Sequence, residues 1–394
     1  MSKCRGSMRR SFYAVLVLFI FCVLLFWRKL SAWKVLNLST TEQHPGAIAA
    51  RIHGTKFDAV NNRPPFIILM AQWRSGSTVL GELLNRNPEL FYMFESLWPA
   101  ARLRELRNIS RGTIASKEIS RDILRGFAKC EFATDFVKIY RRWGGSRLNE
   151  NLCHGNRTSC RMHSVEDLDN FCQSFQGRLA TKIIQADLEL LKPLVTEDGI
   201  NLKIIHLVRD PRGTAASRIN YLKASYREIL NILQRIPPLS DRLKPLGLLD
   251  NVPKEILQFQ EIRENNPTVR GLCNWIRENT KLSPDSLPEW LQGRYHLVKY
   301  EDFALAPLQE AQRIYEFIGM PFTTHLKGFI NNITHPKSSN PSIFSTSKNA
   351  QATANKWKKY LTLQERRQIT KECLDVLQFL GHEPNSTSAT PQSS

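Results

Sequence analysis

The sequence predicts an α/β fold, a parallel sheet covered by helices on both faces, and three observations carry that expectation. Short apolar runs recur at 66–71, 90–94, 179–184, 202–208 and 295–300, each bounded by polar or turn-forming residues. Helical spacing fills the gaps, for example Val79, Leu80, Leu83 and Leu84, or Leu308, Ala311, Ile314, Tyr315 and Ile318. Alternation of this kind argues for parallel strands joined by helical crossovers. Finally, two of the runs stop abruptly in a polar, basic loop that leads straight into a helix.

The first such loop follows Phe66–Ala71 and reads Gln72, Trp73, Arg74, Ser75, Gly76, Ser77, Thr78. A strand, a Gly/Ser loop and a helix N-terminus make an anion site, because free backbone N–H groups and the positive end of the helix dipole face the loop. Gly76 permits close approach of the backbone, the hydroxyls of Ser75, Ser77 and Thr78 add donors, and Arg74 adds a fixed charge. The loop is not a Walker A sequence, since Ser77 stands where that motif needs Lys. The second loop follows Leu202–Val208 and reads Arg209, Asp210, Pro211, Arg212, Gly213, Thr214, Ala215, Ala216, Ser217. Ligands of open α/β sheets bind at the C-terminal ends of strands, so two anion loops there suit a ligand with phosphates at both ends.

With these residues the chain resembles the sulfotransferases that use 3′-phosphoadenylyl sulfate (PAPS). Gln72–Thr78 looks like their 5′-phosphosulfate loop, and Arg209 with Ser217 like their 3′-phosphate pair. The wording of Trp73–Thr78 and of Val208–Arg212 is closest to the Golgi carbohydrate 6-O-sulfotransferases of the Gal/GalNAc/GlcNAc family. The resemblance spans roughly 66–384. It implies a P-loop-NTPase-like sheet flanked by helices, PAPS as donor co-substrate without a metal, and a glycan acceptor of keratan, chondroitin or GlcNAc-bearing type. It also implies that Arg74 faces the leaving-group oxygen and that Glu95, at the end of the second strand run, is the catalytic base. The alternative role for Glu95 is an ion pair with Arg102 or Arg104. Lys182 lies inside a strand and needs a partner, for which the donor's sulfuryl oxygens are one candidate. His206, inside an apolar strand, reads as a core histidine. Ser345–Asn349 with Trp357–Lys359 resembles the family's basic loop over the donor, with a solvated basic helix start as the alternative. Glu301 and Asp302 read as acids at a helix start.

The formal charge is +19, and residues 1–34 hold seven Lys/Arg and no acid, leaving +12 on the rest. A basic body favours anionic partners: nucleotides, nucleic acid, anionic lipid or acidic glycans. The resemblance narrows these to nucleotide and glycan, not nucleic acid, with homodimerisation possible. Phe12–Trp27 is free of charge and almost wholly apolar, between basic flanks and with no small-residue cleavage site after it. The expected organisation is a cytoplasmic tail (1–11), a signal-anchor span (12–30), a luminal stem (31–65), a catalytic domain (66–384) and a disordered tail (385–394), in a single-pass type II Golgi protein. A cleaved signal peptide is the alternative. Sequons at Asn37, Asn108, Asn156, Asn332 and Asn385 fit a luminal body. Cys130, Cys153, Cys160, Cys172, Cys273 and Cys373 would then be luminal, where disulfides persist, with all fifteen pairings open. No C-x₂-C pair occurs, so no zinc site is expected. The region 219–290 reads as helical but broken by prolines and is where acceptor contacts are expected. Two rival readings are a P-loop nucleotide kinase or NTPase, which the missing Walker Lys disfavours, and an inactive glycan-binding relative.

Overall fold

Five apolar runs become the strands of one sheet: β1 (Phe66–Ala71), β2 (Phe91–Phe94), β3 (Leu179–Ile183), β4 (Leu202–Val208) and β5 (Tyr295–Lys299). In this computed structural model their order is β2-β3-β1-β4-β5 and every pairing is parallel. The structure describes residues 64–110, 112–153, 160, 162–184, 186–234, 269–280, 287–334 and 350–382. All of these fall in one unit, 59–394. The expected cytoplasmic tail and span, the stem up to residue 63, the 385–394 tail, the sequons Asn37, Asn156 and Asn385, and the 345–349 loop lie outside the described residues. Among the described residues no helix is long and apolar enough to cross a membrane.

The strands are apolar throughout because both faces are covered. Phe66, Ile68 and Met70 of β1 point into one core layer with Leu124, Phe127, Tyr140, Leu191 and Leu194. Ile67, Leu69 and Ala71 point into the other with Leu80, Leu83, Leu84, Ile314, Tyr315 and Ile330. The first layer is built by α2 (Trp98–Leu106), α3 (Ile114–Lys129), α4 (Thr134–Arg142), α5 (Val165–Gln173) and α6 (Leu188–Thr196); the second by α1 (Ser77–Asn85), α10 (Pro307–Ile318), α11 (Thr324–Thr334) and α12 (Ala350–Asn355). A third cluster joins α7 (Pro211–Gln234) and α8 (Val269–Thr280) to the C-terminal helices α13 (Trp357–Tyr360), α14 (Leu363–Glu372) and α15 (Leu374–Leu380), through Ala216, Ile276, Trp357, Ile369 and Val376.

Element ends differ from expectation by a residue or two. Leu90 N–H donates to the Asn87 carbonyl in a turn, so β2 begins at Phe91. Tyr300 opens a short helix, α9 (Tyr300–Leu305), whose first turn holds Glu301 and Asp302, as acids at a helix start should. The described parts of 219–290 are helical at 211–234 and 269–280, with a single 3₁₀ turn at Glu289–Leu291. The six cysteines form Cys130–Cys172, Cys153–Cys160 and Cys273–Cys373, one of the pairings left open by spacing. Asn108 and Asn332 are both exposed.

Candidate active site

In the order β2-β3-β1-β4-β5 the chain moves out to one side of β1 and then to the other, with β3 and β4 as its two neighbours, so the loops leaving β1 and β4 meet at the C-terminal edge of adjacent strands. Two non-glycine residues at that edge hold left-handed backbone, Arg74 with φ 69° and Glu95 with φ 48°. Such conformations cost on the order of 1–3 kcal/mol and concentrate where function holds them.

In the β1 loop, Ser75 donates its N–H and its hydroxyl to the Gln72 carbonyl, at 3.2 and 2.7 Å, closing a tight turn. Gly76, with φ 96°, then starts α1 without a side-chain cap. The ring of Tyr300 lies directly against it: a Cβ on Gly76 would sit 2.4 Å from that ring. The Arg209 guanidinium stacks 4.3 Å from the centre of the Tyr300 ring. Gly213 leaves room for Arg209, since a Cβ there would come 2.9 Å from its Nε.

The two basic loops are joined by direct bonds. Arg74 Nε donates to Ser217 Oγ at 3.0 Å, and Arg209 Nη1 donates to the Arg74 carbonyl at 3.2 Å. Arg209 Nη2 reaches the Thr353 carbonyl at 3.3 Å. Arg218 donates to the Trp73 carbonyl at 3.0 Å and to Gln72 Oε1 at 3.3 Å. Burial, and then the charge of Arg209, lower the pKa of Arg74. Burial, and then the charge of Arg74, bring Arg218 down to about 10. Three guanidiniums thus share one largely buried corner, in which Arg209 disfavours the charge of Arg74 and Arg74 that of Arg218, a situation that an anion relieves.

Not all of 209–217 faces this corner. Asp210 and Arg212 form a bidentate pair with each other, at 2.8 and 3.1 Å, beneath the Trp357 ring. Ala215 and Ala216 pack in the third core cluster. Sequence reasoning missed Arg218, Tyr300 and Thr353 as members of the corner. The pattern Ser217–Arg218 carries a signal for the first, but nothing local marks Tyr300, which arrives from β5.

Glu95 leaves the end of β2 and meets Lys182, which is paired in register with Phe94 and Leu69. Lys182 Nζ lies 2.8 Å from Glu95 Oε1, 3.5 Å from Thr78 Oγ1 and 4.0 Å from the centre of the Phe94 ring. Lys182 is 1% exposed. Burial lowers its pKa, and Glu95 opposes that shift. The lysine's partner is therefore Glu95 itself, and Arg102 pairs with Glu105 instead. His206 is a core residue: fully buried, with Nδ1 2.7 Å from the Tyr295 hydroxyl, and pushed down to about 3 by burial. Among the described residues no group of His, Cys, Asp and Glu is arranged to hold a metal ion.

Comparison with known proteins follows the same line. A family model described as "Sulfotransferase domain" matches residues 64–381. Human carbohydrate sulfotransferase 2 is 27% identical over 373 residues, covering 86% of this chain and 69% of that protein. Human carbohydrate sulfotransferase 6 is 28% identical over 349 residues, covering 81% of this chain and 80% of its own length. Carbohydrate sulfotransferase 3 of Tetronarce californica is 28% identical over 351 residues, at 82% and 74% coverage. Among solved structures, the sulfotransferase domain from the Synechococcus PCC 7002 olefin synthase overlaps 82% of this chain and 96% of its own, with 18% identity and a TM-score of 0.41.

Proposed function

The chain belongs to the sulfotransferase domain family, and we propose that it transfers a sulfuryl group from PAPS to the 6-hydroxyl of a Gal, GalNAc or GlcNAc residue in a glycan. The observation that carries the reading is the corner where Arg74, Arg209 and Arg218 crowd together across two joined strand-end loops. A nucleotide with anionic groups at both its 3′ and 5′ positions relieves that repulsion from both sides. The relatives' names, carbohydrate sulfotransferases, support a sugar acceptor. The 6-position rests on the resemblance of the two loops.

In this reading the 5′-phosphosulfate occupies Gln72–Thr78, with Arg74 toward the bridging oxygen. Arg209 and Ser217 hold the 3′-phosphate. The acceptor oxygen attacks sulfur, the S–O bond to the 5′-phosphate breaks, and adenosine 3′,5′-bisphosphate leaves. Glu95 takes the hydroxyl proton as the oxygen becomes acidic in the transition state. Lys182 gives this step its electrostatic balance. Before reaction its ammonium pairs with the Glu95 carboxylate. Once Glu95 is protonated, that charge is released beside Thr78, at the edge of the donor loop, where negative charge develops on the leaving phosphate.

The apolar run with basic flanks at 12–30 and the exposed sequons Asn108 and Asn332 support a type II Golgi membrane protein with this domain in the lumen. Removal of N-glycans by glycosidase should then increase gel mobility.

The deciding experiment supplies radiolabelled PAPS with keratan, chondroitin and N-acetylglucosamine-terminated acceptors. Label on the 6-hydroxyl of one acceptor is expected. No transfer to any carbohydrate, with intact binding of adenosine 3′,5′-bisphosphate, would leave the inactive-relative reading in its place.

A further inference from the structure

Beside Glu95 the chain builds an aromatic stack that the chemistry above does not use. Trp98 and Trp143 are parallel, 4.6 Å apart with 6° between their planes. Trp143 also stacks on Phe94, at 5.9 Å and 28°, and Phe94 is the ring beneath the Lys182 ammonium. A continuous line of contacts therefore runs from the Glu95–Lys182 pair through Phe94 and Trp143 to Trp98. The backbone makes the same connection, since Trp98 N–H donates to the Glu95 carbonyl at 2.8 Å.

The stack is held from several sides. Tyr140 packs edge-on against Trp143 at 5.8 Å. A Cβ on Gly145 would lie 2.4 Å from the Trp143 ring, so the chain folds closely over the indole only because that position is glycine. Yet both tryptophans remain partly exposed, Trp98 directly after the buried Ser96 and Leu97. The uncovered part of each indole is apolar surface that the fold leaves for a ligand to cover.

We propose that the Trp98–Trp143 stack is the acceptor platform, on which a pyranose ring of the glycan lies face to face. The proposal rests on the carbohydrate reading above. One face of a galactopyranose presents contiguous C–H groups and no hydroxyl. Such a face is apolar and slightly positive, and it complements the negative face of an indole. Stacking fixes the ring plane and leaves the exocyclic hydroxymethyl arm at the rim, the part of a hexose that can reach the nearby carboxylate. The flanks suit a charged chain, since Arg142 and Arg147 are both exposed on either side of Trp143 in sequence.

Trp98→Ala should raise the acceptor KM at least tenfold, with the affinity for adenosine 3′,5′-bisphosphate unchanged. Trp98→Tyr, which restores an aromatic face, should recover most of the loss. In the wild type with adenosine 3′,5′-bisphosphate bound, adding the acceptor should change tryptophan fluorescence, and this change should be absent from Trp98→Ala. Nucleotide binding reports that each variant is folded. If Trp98→Ala loses it, Trp98→Leu keeps apolar volume without a π face and carries the same expectation. An acceptor KM within twofold of wild type, or a wild-type fluorescence unmoved by saturating acceptor, overturns the platform. Wild-type enzyme that sulfates no carbohydrate overturns the reading on which the platform rests, so the two failures are distinguishable.

Discussion

Glu95 and Lys182 form a pair that neither residue declares alone. Glu95 is visible in the sequence as a carboxylate ending a strand run. Lys182 is visible only as a cation where none should be, and its partner comes from a strand far away in sequence that lies next to it in the sheet. Replacing Glu95 with Gln keeps size and hydrogen bonding but removes the proton acceptor. Turnover should fall roughly 10²–10⁴-fold, with binding of adenosine 3′,5′-bisphosphate little changed; near-normal turnover would assign the base elsewhere. Arg209→Ala should weaken adenosine 3′,5′-bisphosphate by roughly ten- to a hundredfold, as loss of one charged contact does, and leave AMP binding, read by calorimetry, nearly unaffected. His206 makes a different, structural prediction. Its pKa falls from 6.5 in the unfolded chain to about 3 in the fold. Between those values the unfolded chain binds a proton that the native state refuses, so stability drops as pH falls through that window and is level above it. One such proton is worth about 1.4 kcal/mol per pH unit. His206→Gln should flatten the acid limb of urea-derived stability by about that slope; an unchanged slope would mean that the histidine is protonated in the fold.

At the scale of elements, the loop–helix junctions act through what packs on them. The Gly76 turn is packed by Tyr300, the first residue of α9, whose ring lies against it and carries Arg209. Gly76→Ala meets two obstacles together, a φ of 96° and a Cβ 2.4 Å from the Tyr300 ring. It should cost more than tenfold in donor affinity by calorimetry and should not be matched by Gly319→Ala, a helix-terminal glycine that also has positive φ but open space around it. Equal effects of the two would reduce the Gly76 result to general backbone strain. The strands were legible in the sequence because two-sided burial makes each one a short unbroken apolar run. Both strand-end loops were legible as loops, because Gly, Ser and Arg directly after such a run end it and have few other uses. Tyr300 was not legible, because the residue reads equally well as the last position of β5. Its displacement onto Gly76 depends on the crossing from β5 into α9. The Trp98–Trp143 stack was hidden for a similar reason. It joins the start of α2 to the end of α4, and neither tryptophan has a local pattern that points to the other.

At the scale of the whole molecule, the corner of Arg74, Arg209 and Arg218 is bordered by a layer that reaches it from the C-terminal end of the chain. Thr353 accepts a bond from Arg209, and Trp357 covers the Asp210–Arg212 pair. Trp357 is seated in the third core cluster with α8, α14 and α15. The pairing of Cys273 with Cys373 ties α8 to the junction of α14 and α15, closing a loop of 100 residues. Spacing alone could not select this pairing, because proximity between the two cysteines is made by the packing of that cluster and not by their distance in sequence. Closing so long a loop removes on the order of 4.7 kcal/mol of chain entropy from the unfolded state in the simplest treatment, and measured losses on removing a native disulfide run about 2–5 kcal/mol. The double variant Cys273→Ser, Cys373→Ser should therefore unfold at lower urea by that amount. Because the tie holds the layer that borders the arginine corner, bound adenosine 3′,5′-bisphosphate should, on the proposed reading, recover part of the loss. A ligand at a hundred times its Kd stabilises by about 2.7 kcal/mol. The Cys153→Ser, Cys160→Ser variant is the control, since that bridge closes a loop of only 7 residues on the β2 side of the sheet. The C-terminal pair should weaken nucleotide affinity as well as stability, and the short-loop pair should leave nucleotide affinity at the wild-type value. If both variants bind the nucleotide equally well, the C-terminal layer stabilises the fold without shaping the donor site.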